Sequence, residues 1–223
     1  MQIMYEHVWG SQERWDISLV KVTMACAPAE EANALDTGWL IYDNRWYQCR
    51  SVRIKTRSLT TKLVEGFVLE HTEIPDRTEI LELWSAYLHM KGFSDAWDVF
   101  SDPDRSEWLL LRDGCGRLAS FTKMIRYSGG MESQHNAYDD SYGLRLGVVM
   151  LDIESAHAHR NGYDHLYIGS GYEKGSLYKS KLNGFEFWDG TNWSDNIKAY
   201  RDMCLRDSSV SNLDDLNLIW NNT

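Results

Sequence analysis

Alternation of apolar and polar positions predicts strands over Leu19–Met24, Trp39–Tyr42, Arg45–Cys49 and Ser51–Arg57. The Asp43-Asn44 pair between the second and third has the chemistry of a tight turn, so those two strands form a hairpin. Ala27–Leu35 has the spacing of a short helix, with Gly38 as its stop. Asp76 and Glu79, just after Pro75, have the form of a capping box, in which acidic side chains satisfy the free N–H groups of a helix start. The helix so opened runs to about Met90, with Ile80, Leu81, Trp84, Tyr87 and Leu88 as its buried stripe. Glu107–Leu111 and Arg117–Tyr127 bracket Asp113-Gly114-Cys115-Gly116, a hairpin signal, and Met131–Tyr138 begins a further strand.

The period then shifts to helical over Leu146–Arg160. Val148, Val149, Leu151, Ile153, Ala156 and Ala158 are apolar there, and Asp152, Ser155 and His159 form a polar stripe. Gly162 ends that helix, and His165–Gly169 is a short strand. A second helix over Glu173–Leu182 and a strand over Phe185–Trp188 follow, closed by an Asp189-Gly190 turn. Residues 205–223 are polar, with a weak stripe of Leu213, Leu216, Ile219 and Trp220 that fits a docking tail.

The strand, helix, strand, helix, strand order resembles the second half of the GNAT acyltransferase fold. Leu146-Gly147, Tyr167-Ile168-Gly169, Tyr172, Tyr178-Lys179 and Trp193 resemble the C-terminal signature of the arginyl- and leucyl-tRNA–protein transferases. Leu35-Asp36-Thr37-Gly38-Trp39 and Cys49-x-x-Val52-Arg53-Ile54 stand where that family has its GWRRSG and cysteine-led segments, so the likeness spans about residues 24 to 195. It implies an α+β, GNAT-like mixed sheet with splayed strands and flanking helices. A small β-rich lobe over 1–66 would precede the transferase domain over 67–223. The chain departs from the family in three ways. Leu40-Ile41 replaces the basic pair after Gly-Trp, the cysteine cluster is missing, and the chain is short.

Composition narrows the class. With 43% hydrophobic residues, 10 Trp, 12 Tyr and 3 Pro, the chain reads as a packed globular protein. The start lacks a basic segment followed by an apolar one, and the apolar run Leu146–Leu151 is too short to span a bilayer. A cytoplasmic protein with no membrane partner is expected. Cys26, Cys49, Cys115 and Cys204 show no C-x-x-C pair, so neither a metal nor an iron–sulfur site is expected, and the histidines are expected to face solvent. A net charge of −10 opposes a nucleic-acid partner in general. Yet Arg45, Arg50, Arg53, Lys55, Arg57 and Lys62 fall between Asn44 and Val64 with no acid among them. On a strand, Arg53, Lys55 and Arg57 share one face, either a rail for an RNA backbone or an ordinary solvated face.

In the resembled fold, two neighbouring parallel strands part and the acyl donor enters the gap. Here those strands end near Tyr138 and Gly169. The glycines of Tyr142–Gly147 are wrongly spaced for the pyrophosphate turn of acetyl-CoA users. An aminoacyl ester needs neither ATP nor metal, only a neutral amine and a stabilised oxyanion, so no cofactor is expected. The catalytic candidates are Glu154, Asp139 and Tyr167. Tyr172, Glu173, Tyr178, Lys179 and Asp140 are candidates for substrate binding, with Asp139-Asp140 suited to a cationic amine. Each has a plainer alternative: a paired helix carboxylate, turn aspartates, core tyrosines or a structural lysine. The function expected is transfer of an amino acid from an aminoacyl-tRNA to an amine of a protein N-terminus, peptide or small molecule. The alternatives are a CoA-dependent N-acyltransferase and a non-catalytic binding module on the same fold.

Overall fold

The structure is a computed structural model that describes residues 30–58, 65–92, 98–172 and 174–208, together with the backbone of 2–9 and 15–23. Its class is α+β, as expected. A small antiparallel sheet holds β1 (Gln2–Trp9), β2 (Trp15–Thr23), β3 (Trp39–Tyr42) and β4 (Arg45–Gln48) in the order β1-β2-β4-β3. The turn between β3 and β4 places both Asp43 (φ 50°) and Asn44 (φ 57°) in the left-handed region. That is the backbone a two-residue hairpin requires, and it suits these two residue types.

The large sheet has eight strands: β5 (Ser51–Lys55), β6 (Val68–Thr72), β7 (Ser106–Arg112), β8 (Leu118–Tyr127), β9 (Gly130–Tyr138), β10 (His165–Ser170), β11 (Glu186–Trp188) and β12 (Trp193–Ser194). Their order is β12-β11-β5-β10-β9-β8-β7-β6. β5 follows the small sheet in sequence yet lies between β11 and β10, so the first 66 residues contribute a strand to the second sheet.

Helices cover both faces. On one, α2 (Arg77–Lys91) packs Ile80, Trp84 and Leu88 against Trp108, Leu110 and Phe121. Asp76 caps it, accepting from the N–H groups of Thr78 and Glu79. Leu81, expected in the buried stripe, is 47% exposed. On the other face, α3 (Leu146–Arg160) packs Leu146, Met150 and Ile153 against Leu109, Met124 and Leu166. Ile153, Ala156 and Ala158 are buried and His159 is exposed, as expected, but three positions differ. Val148 faces solvent, whereas Asp152 and Ser155 are buried because Arg57 meets them, its guanidinium on Asp152 and its N–H on Ser155. The short α1 (Glu31–Asp36) leads through Gly38 into β3. Residues 27–29, Cys26 and Lys62 lie outside the described residues.

One further expectation is corrected, and one helix is new. Lys174–Lys181 forms 3-10 turns instead of a regular helix, and α4 (Ile197–Asp207) was not foreseen. α4 buries Tyr200 against Phe185 and Phe187. The tail stripe beginning at Leu213 lies outside the described residues. Among the described residues no helix is long and apolar enough to cross a membrane.

Candidate functional site

β9 and β10 are joined through α3 and run parallel. They pair only at Leu166 with Met131 and Tyr167 with Glu132. β9 continues to Tyr138 with β8 on its other side, while Gly169 (φ 69°) turns the end of β10. From Ser133 onward the edge of β9 that faced β10 has no ladder partner, and this break in pairing marks the gap between the strand ends.

Glu154 of α3 approaches that half of β9. The Thr122 hydroxyl donates to its Oε1 at 2.5 Å, and the Asn136 amide donates to Thr122 at 2.7 Å. Oε2 is buried without a hydrogen-bond partner. Burial raises the pKa of this carboxyl, and the Thr122 and Ser133 hydroxyls and the Asn136 amide pull part of that back. Gln134 Oε1 and His135 Nε2 are buried without partners too, but away from Glu154: the His135 ring packs against Trp84 of α2 and Tyr42, and the Gln134 amide donates to the Ile41 carbonyl. A buried polar atom left unpaired is costly, which makes the free oxygen of Glu154 a place for a polar ligand.

Two tyrosines stand near the strand ends. Tyr178, in the 3-10 turns after β10, is 55% exposed. Its phenol is nonetheless pushed up to about 12, by desolvation first and then by the charge of Glu154 and by Tyr138. Those facts fit a ring with one flank in solvent and its hydroxyl turned inward. Tyr138 closes β9, where Lys91 donates to its hydroxyl at 2.9 Å. Beside Tyr138 opens a cleft of about 440 Å³, lined among others by Glu79, Glu82, Tyr87, Asp139 and Asp140.

The other expected site residues fall elsewhere. Asp139 caps the turn after β9, accepting from Ser141 N–H at 2.8 Å, and the Ser141 hydroxyl first, with this N–H, holds its carboxyl below the usual range. Asp140 is exposed beside it on the cleft. Tyr167 is buried under the small sheet with Tyr127 and Trp46, edge-on to Trp193, on the other side of the sheet from α3. The Tyr172 hydroxyl accepts from Arg50 N–H at 2.8 Å in the core. Lys179, 9% exposed, donates to the carbonyls of Ile168 and Ser170 at 2.6 and 2.7 Å and so finishes the end of β10. Glu173 lies outside the described residues. Glu154 and Tyr178 are thus gathered at the gap, whereas Tyr167 and Tyr172 are core residues.

β5 ends at Lys55, short of Arg57, and the basic residues expected on one face are largely neutralised from within. Arg53 pairs with Glu186 at 2.6 Å and lies 4.2 Å over the Trp193 ring, and Arg57 pairs with Asp152 at 2.6 Å. Lys55 is exposed. Cys49 and Cys204 are buried and Cys115 is exposed, with no disulfide among them.

Sequence reading missed His71, Glu107 and His157, whose ligand atoms all lie within 4.8 Å of one another. His157, expected to face solvent, is buried, as is His135.

No family model matches the chain, and no curated protein matches it. The motif likeness to the arginyl- and leucyl-tRNA–protein transferases therefore has no family match behind it. Among solved structures, the chain is similar to the L-PGS of Bacillus licheniformis, at 15% identity and a TM-score of 0.43 over 64% of this chain and 52% of that one. It is also similar to the C-terminal domain (DUF2156) of a putative lysylphosphatidylglycerol synthetase from Agrobacterium fabrum. There the identity is 12% and the TM-score 0.43, over 72% of this chain and 57% of that one. A GCN5-related N-acetyltransferase from Kribbella flavida gives 15% identity and a TM-score of 0.38, over 65% and 54%. The chain spans little more than half the length of these structures, and likenesses of this size assign no activity.

Proposed function

We propose that the chain is an aminoacyltransferase that takes an amino acid from an aminoacyl-tRNA and passes it to an amine of a protein N-terminus, a peptide or a small molecule. The observation that carries this reading is Glu154. It is a buried carboxyl with one oxygen unpartnered, set where β9 and β10 part and within electrostatic reach of Tyr178.

In this reading the amine nitrogen bonds to the ester carbonyl carbon, and the bond from that carbon to the ribose oxygen breaks. Glu154, as carboxylate, takes the proton that the amine must lose. Its raised pKa brings it nearer the α-amine range of roughly 7.7–8, where proton transfer is best matched. The Tyr178 phenol, raised to about 12, keeps its proton at neutral pH and gives it to the departing ribose oxygen. The proton held on Glu154 then returns to Tyr178 through water, so the cycle closes. The ester is already activated, and no ATP, metal or other cofactor enters. The acidic cleft bearing Asp139 and Asp140 draws in an amine in its cationic form, which loses one proton to solvent before attacking as the neutral amine.

The test is incubation with a mixed pool of radiolabelled aminoacyl-tRNAs and cell extract, scoring label that survives ester hydrolysis. Stable label is expected, falling by at least about 100-fold in Glu154→Gln, the usual worth of a positioned base. No stable label, together with turnover of acetyl-CoA, would make the protein a CoA-dependent acyltransferase. No transfer from either donor would leave a binding module.

A further inference from the structure

Away from the gap, three side chains distant in sequence meet on the α3 face of the large sheet. His71 is on β6, Glu107 is near the start of β7, and His157 is in the last turn of α3. The Glu107 carboxylate stands between the two rings, with Oε1 2.7 Å from Nε2 of His157 and Oε2 3.2 Å from Nε2 of His71. The ring centroids are 5.1 Å apart. Two imidazoles bound through nitrogen at about 2.0–2.1 Å to a tetrahedral ion hold their ring centres about 5 Å apart. The rings thus already keep the separation that a shared ion would require, and both present the same nitrogen to the carboxylate.

We propose that His71, Glu107 and His157 form a binding site for one divalent transition-metal ion of the zinc class. Two imidazole nitrogens and one carboxylate oxygen favour zinc, cobalt or nickel over calcium or magnesium, which prefer all-oxygen shells. Glu107 and His157 are 5% and 9% exposed in their side chains, fixed in place by β7 and α3, whereas His71 is 48% exposed. That asymmetry suits entry from solvent: two ligands are preset, the third closes over the ion, and water fills the remaining position. The ion takes the Nε2 lone pairs that now face Glu107, and each neutral ring then carries its proton on Nδ1. The ion ties β6, the end strand of the large sheet, to α3. Glu154 stands one turn earlier on α3, so an occupied site also steadies the segment that presents it. The proposal is independent of the donor and acceptor assigned above.

The experiment uses the full chain, free of any tag and stripped with chelator, titrated with zinc by calorimetry and with cobalt(II) by visible absorption. One equivalent is expected to bind, with the d–d bands of a low-coordinate cobalt ion and a rise in melting temperature. His71→Ala, at an exposed position that leaves packing intact, should weaken binding by at least about tenfold, on the order of the loss that follows when a site's ligation is disturbed. His159→Ala, an exposed histidine on the same helix, should bind as the wild type does. Absence of stoichiometric binding overturns the site. So does His71→Ala binding as tightly as the wild type, or His159→Ala losing the ion.

Discussion

The Thr122 hydroxyl of β8 donates to Oε1 of Glu154 on α3, while the other oxygen of that carboxyl is left without a partner. The bond lowers the pKa of a group that burial raises. Thr122→Val removes the hydroxyl at nearly constant shape and should raise the Glu154 pKa further. As the base must be ionised to act, the acid limb of kcat/KM against pH should move to higher pH. A profile unmoved by the substitution would take Glu154 out of the proton transfer.

Glu132 gives a stability expectation with a definite sign. Burial raises its carboxyl to about 8, against the Tyr127 hydroxyl that bonds to it and the ammonium groups of Lys123 and Lys179, with Asp102 adding to the rise. In the unfolded chain it ionises near 4.3. Between about pH 4.5 and 8 the native state therefore holds a proton that the unfolded state has lost. Stability from this group is full below that window and falls through it, by about 1.4 kcal/mol per pH unit at most. Glu132→Gln, which can still accept from Tyr127, should flatten urea stability against pH between 5 and 7.5 relative to the wild type. Parallel curves would contradict this.

Gly38 is held by two independent constraints. Its φ is +77°, and a Cβ there would lie 2.5 Å from Cγ of the Trp188 ring. Gly38→Ala should cost at least about 2 kcal/mol, combining left-handed strain with a steric clash against a buried indole. Chemical denaturation measures it. A cost within about 0.5 kcal/mol would mean that β11 gives way freely.

Lys55 is the cleanest probe of RNA contact on β5, because Glu186 and Asp152 already occupy Arg53 and Arg57. Lys55→Glu should weaken tRNA binding and reduce the slope of log affinity against log salt by about 1, with the melting temperature unchanged. Unchanged affinity would leave β5 as a solvated face.

Local chemistry was the legible part of the sequence. The Asp43-Asn44 turn, the Asp76 cap and the hairpin at Asp113-Gly114 each depend on residues adjacent in the chain. Burial that depends on distant partners was not legible. Asp152 reads as part of a polar stripe because its partner, Arg57, is 95 positions away. Glu107 meets His71 across 36 positions and His157 across 50, so no spacing rule joins them. α4 was missed because charges interrupt its buried face of Tyr200, Cys204 and Asp207, the last made tolerable by Arg50 at 2.7 Å. At the site, Glu154 stood out as a carboxylate on the edge of an apolar stripe. Tyr167 and Tyr172 are ring-and-hydroxyl residues that the core also uses, and letters alone do not separate those fates.

The most direct test of the gap as the donor site is hydrogen–deuterium exchange of the wild-type protein with two ligands in turn. One is a short RNA hairpin ending in a 3′-aminoacylamido-adenosine, whose amide cannot transfer; the other is coenzyme A. Added protection over residues 133–138 and 168–170 with the aminoacyl analogue, and none with coenzyme A, is the result expected. Protection by coenzyme A alone, or by neither ligand, would contradict the assignment.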